Sequence, residues 1–259
     1  MFTTRQTASQ HIGSRTHQAD ATAHHHDPDT GRRVWVLLDG IGDRVHTAAW
    51  VGTTALALAR LAARRGDPGA AIRQIRPVLH ADRATLGHPE DWPADAAAIV
   101  AVLTPTGTLD IAWAGDCRAY LADGGRARLL TTDHNKAARQ RREGGEPEPD
   151  AHDYLTSSLC FSTGRVDSVT VQFPLHSRDA SPRRLLLASD GAYLPHEHAG
   201  TLPPPSPDGS HRHGPGIKTP VLTGAPETVA RHLTDLAVKA DPNGADNATA
   251  VVIDLHPVD

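Results

Sequence analysis

Three aspartates stand at the ends of short apolar runs in this 259-residue chain. Asp39 follows Val34-Trp35-Val36-Leu37-Leu38 and runs into Gly40-Ile41-Gly42-Asp43. Asp190 follows Arg183–Ala188 and Ser189, with Gly191 behind it, and Asp246-Asn247 precedes the run Ala248–Leu255. These runs read as buried strands, and Val34–Leu38, too short for a helix and rich in β-branched and aromatic residues, as one buried on both faces. One Asp-Gly pair is ordinary turn chemistry, but the arrangement recurs. Asp39 and Asp190 end their strands and Asp246 begins one. In an antiparallel sheet the end of one strand lies beside the start of its neighbour, so alternating directions would bring all three carboxylates to one edge. Crowded carboxylates repel one another unless a cation is present. The donor set is all oxygen, which suits Mg2+ or Mn2+ better than zinc. Two such ions sharing a bridging carboxylate could activate a water for attack on phosphorus.

The remaining elements must position that edge. Residues 1–14 read as a polar lead-in that adds an edge strand, and a second strand and a hairpin turn at Asp27–Gly31 follow. His24-His25-His26 falls in that second strand; with a period of two the three rings point to alternate faces and cannot share one ion, so a solvated edge is expected. His46–Arg65, carrying Val51, Leu56, Ala59 and Leu61, reads as a helix stopped by Gly66-Asp67-Pro68-Gly69. A second helix with Ile72, Ile75 and Leu79 should be kinked or shortened by Pro77, and His88–Pro93 reads as a loop. Ala96–Leu103, Thr108–Ala114, Arg118–Ala122 and Ala127–Thr131 predict an antiparallel meander, bent at Gly115-Asp116. Thr132–Tyr154 reads as a short helix and a polar loop, either a solvated insertion or a flap beside a site. Val166–Pro174 predicts a strand, Leu194–Pro226 a Pro/Gly/His-rich loop, and Pro226–Ala240 a helix with Val229, Leu233, Leu236 and Ala237 inward.

Composition excludes several classes. The net charge of -4 leaves no basic footprint for nucleic acid. No apolar run approaches the length of a membrane span, and the N-terminus lacks the apolar core of a secretory signal. Cys117 and Cys160 form neither a disulfide framework nor a metal motif, which points to a reducing cytoplasm. Arginine greatly outnumbers lysine, with Lys136, Lys218 and Lys239 the exceptions; with the heavy use of Ala, Gly and Pro this suggests a high-GC bacterial source.

The motifs together resemble the metal-dependent protein phosphatases of type 2C. Arg15 with Asp20-Ala21, Leu38-Asp39-Gly40-Ile41-Gly42, Ala114-Gly115-Asp116-Cys117-Arg118-Ala119-Tyr120 with Leu130-Thr131-Thr132-Asp133-His134, and Leu187-Ala188-Ser189-Asp190-Gly191 with Asp246-Asn247-Ala248-Thr249 follow the family's order over nearly the whole chain. The resemblance implies an α+β fold, a four-layer α-β-β-α sandwich of two antiparallel sheets flanked by helix pairs, as a single domain over residues 1–259 with a loop at about 195–226. It implies a bacterial phosphoserine/phosphothreonine phosphatase acting through a metal-bound hydroxide at a site of two Mn2+ or Mg2+ ions. Its substrate would be a phosphorylated protein, made by a bacterial Ser/Thr kinase, with no nucleic acid or membrane partner. Carried onto this chain, Asp39 bridges the metals and the Gly40 carbonyl is a ligand. Asp190 and Asp246 hold the first metal, Asp20 acts through waters, Arg15 grips the phosphate, and a third ion is possible near Asp116.

Departures from the family pattern leave an alternative, a catalytically weak or inactive phosphatase-fold regulatory or binding module. Ile41 replaces a histidine common in animal members, Ala19 an acidic residue or glutamine, Leu194 an acidic residue, and Cys117 a serine. A further alternative is that the aspartates are turn residues that never meet. For single residues, Asp116 is expected to cap the hairpin bend, Asp133 and His134 to hydrogen-bond within their loop, and His211 and His213 to be solvent-exposed.

Overall fold

The structure is a computed structural model and describes residues 2–85, 94–161, 163–173, 183–205 and 216–257. His88–Pro93, His211 and His213 lie outside the described residues, as does Pro174 at the end of its expected strand.

Two antiparallel sheets face each other. The first has β1 (Phe2–His11), β11 (Ala248–Pro257), β9 (Arg183–Ala188), β6 (Arg118–Asp123), β7 (Arg126–Leu129) and β10 (Ile217–Lys218) in that order. The second has β2 (Asp20–His26), β3 (Arg33–Gly40), β4 (Ala96–Leu103), β5 (Thr108–Ala114) and β8 (Asp167–Gln172). Helices α1 (Val45–Arg65) and α2 (Pro68–Thr85) cover the outer face of the second sheet, while α4 (Asp190–His198) and α5 (Pro226–Ala240) cover that of the first. Helix α3 (Lys136–Arg142) sits in the segment between β7 and β8. The α-β-β-α sandwich implied by the resemblance is the architecture observed. Among the described residues no helix is long and apolar enough to cross a membrane.

The layers follow from the two-residue period of the strands. Val34, Val36 and Leu38 of β3 face α1 and α2, whereas Trp35 and Leu37 face the other sheet. In β4, Ala98, Val100 and Val102 pack outward against the helices, and Ile99, Ala101 and Leu103 inward. Strands packed on both faces are apolar throughout, which is why these runs carry no alternation. On the first sheet Leu185 and Leu187 point inward, and Leu186 and Ala188 outward against α4 and α5.

Four expectations need correction. The predicted meander is not one sheet: β4 and β5 lie in one and β6 and β7 in the other, and the chain crosses over at Gly115-Asp116-Cys117. Gly115 has φ +115°, and a Cβ there would overlap Ala97, so both the backbone conformation and the space demand glycine. Pro77 does not shorten α2, which runs to Thr85. Pro77 and Arg73 are both exposed, so the carbonyl that loses its partner can be hydrated. Leu194–His198 is helical rather than loop, because α4 starts at Asp190. Leu56 and Leu236 face outward at 49% and 40% exposure, since the α1 stripe runs through Val51, Ala55, Leu58, Ala59 and Ala62 and the α5 stripe through Val229, Ala230, Leu233 and Ala237.

The expected stop at Gly66 holds: the residue is left-handed at φ 66° and donates its N–H to the Ala62 carbonyl. The histidine triplet lies on β2, an edge strand, with His24 and His26 exposed.

Candidate metal centre at the sheet edge

Strand parity delivers the carboxylates. Asp39 continues the inward series Trp35, Leu37, so its side chain belongs to the space between the sheets, at the point where β3 runs out. Asp20 pairs with Asp39 in the β2–β3 register, and directly opposed residues share a face. From the other sheet, β9 ends at Ala188, and Asp190 opens α4 one residue later. Asp246 precedes β11, which pairs with β9. Antiparallel pairing thus places strand ends beside strand starts, and Arg15, Asp39, Gly40, Asp116, Asp190 and Asp246 line a common cleft of about 640 Å³. The aspartates are not turn residues that stay apart.

Two glycines make this approach possible through space rather than through φ. A Cβ on Gly40 would run into the Ala19 carbonyl, to which the Gly40 N–H donates at 3.0 Å. A Cβ on Gly191 would run into the Asn247 carbonyl. The Asp-Gly pairs therefore mark two backbone contacts that stitch β2 to β3 and α4 to the start of β11. Gly42, at φ 93°, is the one that turns the chain.

The electrostatics are those of a crowded anionic site. Burial first, then the charges of Asp190, Asp20, Asp116 and Asp246, hold the Asp39 carboxyl well above the carboxylate range. Burial and the neighbouring Asp190 and Asp246 push Asp20 up to about 7, against hydrogen bonds from Thr249 and Ser189 that favour its charge. Asp190 is pushed up to about 6 by burial and by Asp246, while contacts with Asp39, the Gly191 N–H and Arg15 pull the other way. Asp116 is raised by burial, Asp190 and Asp133. The folded chain holds these groups together at an electrostatic cost.

The donor chemistry fits a hard divalent cation. Oxygen ligands converge without thiol or imidazole, and Asp20 Oδ1 is buried with no hydrogen-bond partner among the described residues. Among the described residues no three His, Cys, Asp or Glu are arranged to hold an ion as they stand. Protein groups occupy the carboxylates instead. Arg15 Nη2 donates to Asp246 Oδ2 at 2.6 Å, Ser189 Oγ to Asp20 Oδ2 at 3.0 Å, and Gly191 N–H to Asp190 Oδ1 at 2.5 Å.

The sequence reading missed the residues that fix this geometry. Asn247 is buried; its Oδ1 accepts from the Ala19 N–H at 2.6 Å, and its Nδ2 donates to the Ile12 and His17 carbonyls at 2.8 and 3.1 Å. It ties the loop bearing Arg15 and Asp20 to β11. Asp43 grips the same loop, accepting from the Thr16 and His17 N–H groups, and those bonds hold its carboxyl down at about 2. Ser189 Oγ accepts from the Thr249 N–H at 2.9 Å while donating to Asp20. Asn247, Ser189 and Thr249 all sit inside the quoted motifs, beside the aspartates that drew attention.

The segment after β7 is placed as a flap: Asp153, Tyr154, Leu155 and Phe161 line the cleft. Asp95 anchors it, accepting from Ser158 Oγ at 2.6 Å and the Cys160 N–H at 2.9 Å. Asp133 forms a two-pronged buried ion pair with Arg118 at 2.9 and 2.8 Å, and the His134 ring nitrogen Nδ1 accepts from the Gly115 N–H at 3.3 Å. Both stabilise the crossover beside Asp116. Of the departures, Ile41 lines the cleft and Leu194 packs against the core beneath α4, away from it. Ala19 is buried.

Comparison with known proteins agrees with the fold. Residues 61–143 match the family model Protein phosphatase 2C. Among solved structures, Stp1, a serine/threonine phosphatase from Staphylococcus aureus, superposes with a TM-score of 0.72 at 16% identity, covering 99% of this chain and 96% of that one. The catalytic domain of the serine threonine protein phosphatase PstP, in complex with two manganese ions, gives 0.69 at 20%, covering 99% and 100%. PppA, described as a key regulatory component of T6SS in Pseudomonas aeruginosa, gives 0.68 at 20%, covering 96% of each chain. Among curated proteins, none matches the chain. The resemblance read from the motifs holds: the matched segment and the fold are those of the type 2C phosphatases.

Proposed function

We propose that this chain is a metal-dependent protein-serine/threonine phosphatase whose site is the acidic cleft at the sheet edge. The observation that carries the reading is the convergence of Asp20, Asp39, Asp190 and Asp246 with Arg15, in the family's motif order, at one end of the inter-sheet space. Asp39, Asp190 and Asp246 would hold two divalent cations with the Gly40 carbonyl, and Asp20, buried beside Asp39, would act through water. Bound there, Mn2+ or Mg2+ supplies charge neutralisation and a nucleophilic water for a phosphate monoester. PstP, whose fold this chain shares, is described with two manganese ions.

The protein's own part is positioning. Arg15 is about two-fifths exposed at the cleft mouth, where its fork can take two oxygens of a phosphoryl group. Its present partner is Asp246, so cation binding to Asp246 would free the guanidinium for substrate. Asn247 and Asp43 keep the Arg15 arm in place on both sides. Cation binding would also be coupled to proton release, because Asp20 and Asp190 are raised to about 7 and about 6.

The reading as a non-catalytic module is disfavoured by the cost of that cluster. A chain released from catalysis has no physical reason to keep so many repelling carboxylates. Asp116 would hold a further, weaker ion at most. The substrate is a phosphorylated protein made by a bacterial Ser/Thr kinase, and the site of action is the cytoplasm, where Cys117 and Cys160, both free and buried, stay reduced. Phosphate release from phosphoserine and phosphothreonine peptides tests the reading. Release with Mn2+ that stops on chelation supports it, and release that survives thorough chelation contradicts it.

A further inference from the structure

A second recess, of about 480 Å³, lies between α2 and the segment leading into β8. Arg73, Arg76 and His80 line it from the helix, and Thr163, Gly164 and Val166 from the segment. The three basic residues fall at i, i+3 and i+7, one face of the helix. Among the described residues no carboxylate lines the recess. Arg73 and His80 are exposed and make no hydrogen bond or ion pair among the described residues. Arg76 Nε is buried and has no hydrogen-bond partner among them. Burial holds the Arg76 guanidinium below its ordinary range; Asp95 and Cys160 act in the opposite sense, and the charge of Arg73 adds to the lowering. Among the described residues the recess therefore presents positive charge, from Arg73 and His80, that no lining carboxylate balances.

Arg76 also connects this recess to the acidic cleft. Its Nη1 donates to the Gly164 carbonyl. Its Nη2 donates to Ser157 Oγ at 3.1 Å and to the Ser158 carbonyl at 2.7 Å. Ser157, Ser158 and Phe161 line the cleft of Asp39 and Asp190. One buried guanidinium thus holds a segment whose two ends border the two cavities.

We propose that the α2 recess is a second anion site, taking a phosphate-class oxyanion, and that its occupancy is transmitted to the acidic cleft through Arg76 and the segment it holds. The open fork of Arg73 matches the tetrahedral oxyanion, Arg76 Nε adds an unpartnered donor, and the cavity exceeds a bare phosphate, leaving room for whatever carries the group. The oxyanion could be free phosphate or the phosphoryl group of a modified protein. The site does not depend on hydrolysis at the cleft.

Hydrogen exchange in the presence of chelator tests this without turnover. The protein used carries Arg15→Ala, which removes the phosphate arm of the cleft, and is compared with the same protein also carrying Arg73→Ala and His80→Ala. Both added changes are at exposed positions, and circular dichroism checks the fold. Inorganic phosphate is expected to slow exchange several-fold at residues 71–81 and 157–161 in the first protein and not in the second. A phosphoserine peptide forms the other arm: slowing by the peptide alone assigns the oxyanion to a modified protein, and slowing by both shows that free phosphate suffices. No slowing by either probe, or equal slowing in both proteins, overturns the proposal.

Discussion

Asp20 and Asp39 are direct cross-strand partners on β2 and β3, and both face the space between the sheets. Like charges so placed destabilise a strand pair, and here the pairing stands where Asp190 and Asp246 arrive from the other sheet. The fold is built around a repulsion that a cation would remove.

Replacing one member should therefore stabilise the metal-free protein. Asp39→Asn keeps the shape and removes a charge that burial and four aspartates disfavour. In chelator the variant should unfold later than the parent, because the buried, crowded position disfavours the carboxylate and not the amide. Denaturant titration measures it; an unchanged or earlier midpoint would show that the cluster carries no strain.

The pH dependence has a definite sign. Asp20 at about 7 and Asp190 at about 6 bind protons more tightly folded than unfolded. Their cost to stability is absent below the ordinary carboxylate pKa of about 4, grows as pH rises through it, and is complete above the folded values. In EDTA the melting temperature should fall between about pH 5 and about pH 7, and saturating Mn2+ should flatten that fall. The same groups predict that Mn2+ binding at neutral pH releases protons, seen as a calorimetric heat that changes with the ionisation enthalpy of the buffer.

Gly191 tests the stitching of α4 to β11. An alanine there would force its Cβ into the Asn247 carbonyl. Gly191→Ala should cost roughly 1–3 kcal/mol, the usual range for overpacking, and weaken Mn2+ binding, because Asp190 and Asp246 flank the contact. Gly200→Ala is the control: Gly200 has positive φ but open space, so it should lose stability without losing metal affinity.

Asn247→Ala would leave the Ala19 N–H and the Ile12 and His17 carbonyls without their partner. Unsatisfied buried groups cost about 1–3 kcal/mol, and thermal unfolding should show it. Hydrogen exchange should quicken across residues 12–20, which carry Arg15 and Asp20. Quickening elsewhere with that loop unchanged would contradict the tether.

Much of this was legible in the sequence because strand parity and motif order are local properties. The run Val34–Leu38 declared a strand buried on both faces, and the order of the motifs gave the architecture. The crossover at Gly115-Asp116 was not legible as a change of sheet, because a hairpin and a sheet switch share the same turn residues. Leu194 reads as loop because it opens a run rich in Pro, Gly, Ser and His, yet α4 continues through Pro195 to His198. Asn247 was hidden for another reason. Its three partners lie some 230 residues away in the chain, and no local pattern announces a tether of that kind.

The proposed function requires the acidic cleft to hydrolyse phosphate monoesters with a divalent cation. Hydrolysis of p-nitrophenyl phosphate by the parent and by Asp39→Asn, each with Mn2+ and with EDTA, tests it most directly. Turnover by the parent is expected to require Mn2+ and to be abolished in Asp39→Asn. No turnover by folded parent protein under Mn2+ or Mg2+, or equal turnover by the variant, would contradict it.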